Sequence, residues 1–186
     1  MRIVAGKLKS RQIQAPKGKN TRPTSDRVKE SLFNILGMSV CDAHCLDLFA
    51  GSGNLGIEAL SRGAKSCVFV DVDKEAIQTI QNNIKTLQLQ ADSQIIHADY
   101  RQALKRFQTP FDLIFLDPPY RYTIIEELLD EIETKKLLTE KGIIVYESDV
   151  DKQIQMDFLR GYQIKKYQYG DTILNIFKKE SKDIEN

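Results

Sequence analysis

The chain has 186 residues, 41% of them hydrophobic, with 10 Gly, 5 Pro, 3 Cys and no Trp, which suits one medium domain with room for a short appendage. No apolar run approaches the ~20 residues that cross a bilayer, the basic start MRIVAGKLKSRQ lacks the apolar stretch of a secretory signal, and three cysteines make neither a disulfide framework nor a closed zinc site. A soluble, cytoplasmic protein without a metal is expected, with Cys41, Cys45 and Cys67 as core thiols, and its near balance of 27 basic against 26 acidic residues hides an asymmetry, since residues 1–29 hold nine bases and one acid.

That first segment carries a net charge of +8 and the other 157 residues carry −7, so a polyanion is drawn to one end of the molecule. Arg2 to Gln14 alternates loosely around Ile3, Leu8 and Ile13, and Gly6-Lys7 can turn the chain, which predicts a small β-hairpin arm bearing Lys7, Lys9 and Arg11. A solvated basic tail is the rival reading of the same charges. Ala15 to Pro23 reads as loop because its prolines and glycine interrupt both periodicities, so residues 1–24 form arm and loop. Thr24, Ser25 and Asp26 then offer helix caps before Val28, Leu32, Ile35 and Leu36, whose spacing predicts a helix over 25–36 carrying Arg27 and Lys29 towards the arm.

From residue 44 short apolar runs alternate with helical patterns, as in a parallel sheet with crossover helices. Strands are expected at His44 to Phe49, Ser66 to Asp71, Ser93 to His97, Phe111 to Leu116 and Gly142 to Glu147. Helices are expected over 54–62, 74–88, 100–107 and 123–134, the second marked by Ile77, Ile80, Ile84 and Leu87 on one face. Tyr162 to Tyr169 and Thr172 to Lys178 flank Gly170-Asp171, a two-residue hairpin signal that closes the sheet with antiparallel strands. The main domain therefore spans 25–179, and 180–186 is a polar tail.

Gly51, Ser52, Gly53 and Gly56 follow the first strand and open the next helix, fitting G-x-G-x-x-G, a turn that lets a ligand lie against the backbone. Asp71, 20 residues after Gly51 at the tip of the second strand, can accept from both hydroxyls of a ribose. These two features alone also fit a nicotinamide-dependent dehydrogenase. Asp47, four residues before Gly51, opposes a pyrophosphate but suits a cationic, phosphate-free nucleoside such as S-adenosylmethionine. Asp99, after the third strand, is then placed for the adenine amine.

Asp117-Pro118-Pro119-Tyr120 follows the fourth strand. Two prolines stiffen the turn and remove two N–H donors, leaving acceptors that grip an exocyclic NH2, while Tyr120 offers a face on which a base can stack. The expected chemistry is in-line attack of an amine on the sulfonium methyl, driven by positioning and electrostatics, with Asp117 orienting the amine. Neither His44 nor His97 stands where a proton acceptor is needed.

Asp47-Leu-Phe-Ala-Gly-Ser-Gly53 with Asp117-Pro-Pro-Tyr120 resembles the Rossmann-like class I S-adenosylmethionine-dependent amino-methyltransferases. Thr21-Arg-Pro-Thr-Ser-Asp-Arg-Val-Lys-Glu30, continuing to Phe33-Asn-Ile-Leu36, and the opening Arg2-Ile-Val-Ala-Gly6 resemble the RsmD family more specifically, from residue 2 to about 178. That resemblance implies methylation of the N2 amine of a guanine in 16S ribosomal RNA, within a small-subunit ribosomal particle. Gly51, Gly53, Asp71 and Asp99 would hold the donor, Asp117 to Tyr120 the guanine amine, and Arg22 to Arg27 would lie beside the RNA. The family often carries Glu at position 71, where this chain has the shorter Asp. A DNA adenine or protein glutamine methyltransferase, or a non-catalytic RNA-binding assembly factor, remains an alternative.

Overall fold

The computed structural model describes residues 1–16, 25–118, 125–150 and 161–180. Helix α1 (Asp26–Leu36) is capped by Ser25, whose side chain accepts from the Val28 N–H. It leads through a 3-10 turn at Gly37–Val40 into β1 (His44–Asp47). Then follow α2 (Asn54–Ser61), β2 (Ser66–Asp71), α3 (Lys74–Leu87), β3 (Ser93–His97), α4 (Tyr100–Leu104), β4 (Phe111–Leu116), α5 (Ile125–Thr134), β5 (Leu138–Asp149), β6 (Tyr162–Tyr169) and β7 (Thr172–Lys179). None of these helices is long and apolar enough to cross a membrane.

The seven strands form one sheet in the order β3-β2-β1-β4-β5-β7-β6. β1 to β5 run parallel, and β7 lies antiparallel between β5 and β6. Alternation along the inner strands sends side chains to two cores. Cys45, Cys67, Phe69, Leu113, Phe115 and Val145 pack under α1, α2 and α3, while Leu46, Val70, Ile114, Leu116 and Ile144 pack under α4 and α5. Because β2 and β4 flank β1 while their connections cross opposite faces, the strand order reverses beside β1, and the crevice outside the carboxyl ends of β1 and β4 is where such sheets bind ligands.

β2, β3, β4 and the β6/β7 turn fall where their apolar spacing puts them, and three other elements differ. β1 ends at Asp47 rather than Phe49, because Leu48 to Ala50 already belong to the glycine turn. α4 stops at Leu104 rather than 107: Phe107 keeps the apolar spacing but packs edge-on against Phe111 from outside the helix. β5 starts at Leu138 rather than Gly142, since Leu138 pairs with Phe111 before a register shift that lets the polar Thr139 to Lys141 through.

Residues 1–16 make a small looped hairpin closed by one antiparallel bridge, Arg2 with Gln12, and turned at Gly6 (φ +82). Ile3 and Ile13 are buried in the first core, so the segment is docked rather than free. Two expectations are corrected here. Cys41 is exposed in the turn before β1, not a core thiol like Cys45 and Cys67, because the chain reverses there with Asp42 at positive φ. Lys29, counted among the charges available to a polyanion, is fully buried and paired with Glu58.

Candidate active site

The glycine turn is built from the backbone outward. Leu48 N–H bonds to Phe115 O (3.1 Å) and Ala50 N–H to Val70 O (2.9 Å), so the chain leaves β1 still tied to both neighbouring strands. Gly51 (φ +56) and Gly53 (φ +79) then reverse it in the left-handed region that glycine adopts without cost. A Cβ at Gly51 would meet nothing within 4 Å, so its outer face is open to a ligand. Gly56 serves packing instead: a Cβ there would stand 2.4 Å from the Phe69 ring.

Each predicted carboxylate sits on this edge, with a different task. Asp71, half-buried, accepts from Gly51 N–H through Oδ2 and from Asp73 N–H through Oδ1, both at 2.8 Å, and so pins the glycine turn to the end of β2. Asp47 is 2% exposed, and its Oδ2 accepts from Gly56 N–H at 3.0 Å. Burial pushes its carboxyl up to about 7, against the lowering effect of that hydrogen bond. It braces the turn from the end of β1 and is almost closed to solvent. Asp99 caps α4, its Oδ1 accepting from Arg101 N–H at 2.9 Å.

Asp117 leaves β4 beside this turn, two residues past the point where Phe115 aligns with Asp47. Burial raises its carboxyl well above the usual carboxylate range, and the charges of Glu147, Asp47 and Asp149 push it the same way. Pro118, the next residue, is buried. Pro119, Tyr120 and Arg22 lie outside the described residues.

Three residues of this edge were not singled out from sequence. Glu147 and Asp149, at the carboxyl end of β5, carry the same signal as Asp71 and Asp117, an acid closing an apolar run. Val72 is 64% exposed directly after Asp71, an apolar surface at the tip of β2.

Lys7, Lys9, Arg11 and Arg27 are all on the surface, Lys7, Lys9 and Arg11 along the arm and Arg27 on α1. Lys7 Nζ lies 3.8 Å from Asp92 Oδ2, and Arg11 donates to Thr86 O at 3.3 Å, so the arm's outer face rests along α3 and the loop after it.

Sheet order, reversed hairpin and glycine turn together define the Rossmann-like class I methyltransferase fold. The pattern of the family described as "Conserved hypothetical protein 95" matches residues 1–178. Over 182 residues the chain is 44% identical to the "Putative rRNA methyltransferase YlbH" of Bacillus subtilis, covering 96% of this chain and 99% of that protein. It is 36% identical over 151 residues to the "Ribosomal RNA small subunit methyltransferase D" of Escherichia coli K12, covering 81% and 76%. The solved structure described as "Putative methyltransferase yhhF from Escherichia coli" superposes with a TM-score of 0.87 at 32% identity, over 98% of this chain and 99% of that one. The chain belongs to the RsmD family.

Proposed function

We propose that this protein transfers a methyl group from S-adenosylmethionine to the N2 amine of a guanine in 16S ribosomal RNA, acting on a small-subunit particle. The observation that carries the reading is the adjacency, across the β1/β4 crevice, of a glycine turn held by Asp71 and the rigid Asp117-Pro118 turn. Relatives named as small-subunit RNA methyltransferases support the substrate class.

The residues present fit the donor. The open face of Gly51 admits a ligand to the backbone, exposed Val72 offers an apolar surface for adenine, and acids close the ends of β2, β4 and β5. That charge suits ribose hydroxyls and a sulfonium and repels a pyrophosphate. Bound there, S-adenosylmethionine supplies an electrophilic methyl carbon on a cationic sulfur. Asp71 accepts from the ribose hydroxyls and Asp99 from the adenine amine. Asp117 accepts from the guanine amine, turns its lone pair towards the crevice and stabilises the positive charge that develops on nitrogen. Pro118 stiffens the chain directly after that carboxylate and brings no competing N–H donor.

The test is to incubate the protein with labelled donor and small-subunit particles from cells lacking it, then to map the labelled nucleoside. Label on N2-methylguanine in 16S RNA is expected; label on adenine or on protein overturns the substrate assignment. Asp117→Ala should lose transfer by about 100-fold or more, as removal of a group that stabilises the transition state does, while still binding S-adenosylhomocysteine. Retained turnover would move the chemistry elsewhere.

A further inference from the structure

Two buried polar side chains join the basic arm to the glycine turn. On α3, Asn83 is 3% exposed; its Nδ2 donates to Ser52 O (3.0 Å) and to Gln14 O (3.1 Å), and its Oδ1 accepts from Gln14 N–H (2.8 Å). On α1, Lys29 is fully buried, and its Nζ donates to Arg2 O and to Asn54 Oδ1, both at 2.7 Å, beside Glu58 at 3.2 Å. Glu58 in turn accepts from Val4 and Ala5 N–H at 2.8 and 3.0 Å. Ser52 and Asn54 flank Gly53, so each side of the turn is one side chain away from an end of the arm.

We infer that Asn83 and Lys29 are positioning residues through which docking of the arm and ordering of the glycine turn stabilise one another, so that donor occupancy and RNA engagement are linked. The inference rests on the donor lying at the turn, as proposed above, and on RNA lying at the arm, where Lys7, Lys9 and Arg11 stand on the surface. If the arm lifts, Asn83 and Lys29 lose the Gln14 and Arg2 partners that fix their rotamers, and Ser52 O and Asn54 lose their clamps. Buried polar groups left without partners are costly, so the arm stays down when the turn is held. Linkage is reciprocal: a ligand that fixes the turn must also hold the arm, and whatever holds the arm raises affinity for that ligand.

Amide hydrogen exchange on the full wild-type chain, with and without S-adenosylhomocysteine, tests this. The amides of Ile3, Lys7 and Ile13 should slow together with those of 51–56 when the ligand is added, by roughly threefold or more. Protection of the turn with no change in the arm overturns the inference and leaves the donor site standing. No protection anywhere, with no heat of binding, overturns the donor reading itself. A second test uses Gly6→Ala, since a Cβ at Gly6 would stand 1.9 Å from Ser61 O and lift the arm at a point remote from the turn. Gly6→Ala and Asn83→Ala should each weaken S-adenosylhomocysteine by about tenfold, and the double variant by less than the product, because both cut one tie. KM for the donor should rise more than kcat falls. Unchanged donor affinity in variants that keep the wild-type circular dichroism, or full additivity, overturns it; if either variant fails to fold, the wild-type exchange result decides.

Discussion

A carboxyl that burial holds neutral up to about pH 7 makes Asp47 a liability for stability as well as a brace for the turn. In the unfolded chain it ionises near ~4. Between those values the folded protein keeps a proton that the unfolded chain has released, so stability falls as pH rises through the window and levels off above it. Asp47→Asn keeps an acceptor for Gly56 N–H and has nothing to ionise. It should therefore stabilise the protein by about 2–4 kcal/mol at pH 8, a gain that shrinks towards pH 4, as read by calorimetry at both pH values. Equal melting temperatures at pH 8 would mean that the ionised carboxylate is held by the fold. Asp117, catalytic in the proposed function, gives the counterpart. Its carboxyl is raised by burial first and by Glu147, Asp47 and Asp149 next. Protonation removes the acceptor, so the acid limb of the transfer rate should lie above the pH at which an ordinary carboxylate titrates; a limb at ~4 would exclude Asp117 as the group that must be ionised.

At the level of elements, propensity and packing make opposite demands on Gly56. Alanine is the better helix former by about 1 kcal/mol, yet its Cβ would stand 2.4 Å from the Phe69 ring and 2.6 Å from Cys67 Sγ. Packing wins, because β2 cannot recede from the sheet: Gly56→Ala should destabilise by about 1–3 kcal/mol in a denaturant titration. Lys29→Met is expected to cost more, about 3–5 kcal/mol, since among the described residues it leaves the fully buried Glu58 with Arg62 as its ion-pair partner and removes the donor to Arg2 O. Neither effect is visible in the sequence. The apolar spacing placed β2, β3 and β4 to the residue: β2 and β4 are interior strands covered on both faces and largely apolar, and the edge strand β3 is marked by Ile95-Ile96 between polar ends. It missed the start of β5, where a bulge admits polar residues. It was also misled at Phe107, whose helical spacing reflects packing against Phe111. The glycine turn and the acids at the strand ends were legible because local backbone geometry and strand position dictate them. The burial of Asp47 and the meeting of Lys29 with Glu58 were not: they depend on side chains distant in sequence coming together, which no periodicity encodes.

Across the whole molecule, the charge asymmetry survives folding in altered form. Lys29 is withdrawn into the interior, and Arg2 pairs with Asp26 at 2.7 Å, but Lys7, Lys9 and Arg11 stay on the surface. They are carried by a segment whose backbone is bonded to Glu58 and Ser61, so the positive field is fixed beside the glycine turn rather than spread by a waving tail. Under the proposed function a base is extruded and loses stacking worth a few kcal/mol, and cations fixed on the arm would offset part of that loss at the flanking phosphates without the entropy of ordering an arm. Reversing the charge at Lys7, Lys9 and Arg11 should therefore weaken RNA binding at low salt and flatten its salt dependence, by roughly 0.7 in the slope of log K against log salt for each phosphate no longer neutralised. S-adenosylhomocysteine affinity should change far less than RNA affinity: the reversal gives up only the exposed contacts of Lys7 with Asp92 and of Arg11 with Thr86 O, while the arm's bonds to Glu58, Ser61, Lys29 and Asn83 are kept. Anisotropy titrations from about 50 to 200 mM salt decide the matter: an unaltered slope would mean that these side chains are solvated and the RNA lies elsewhere.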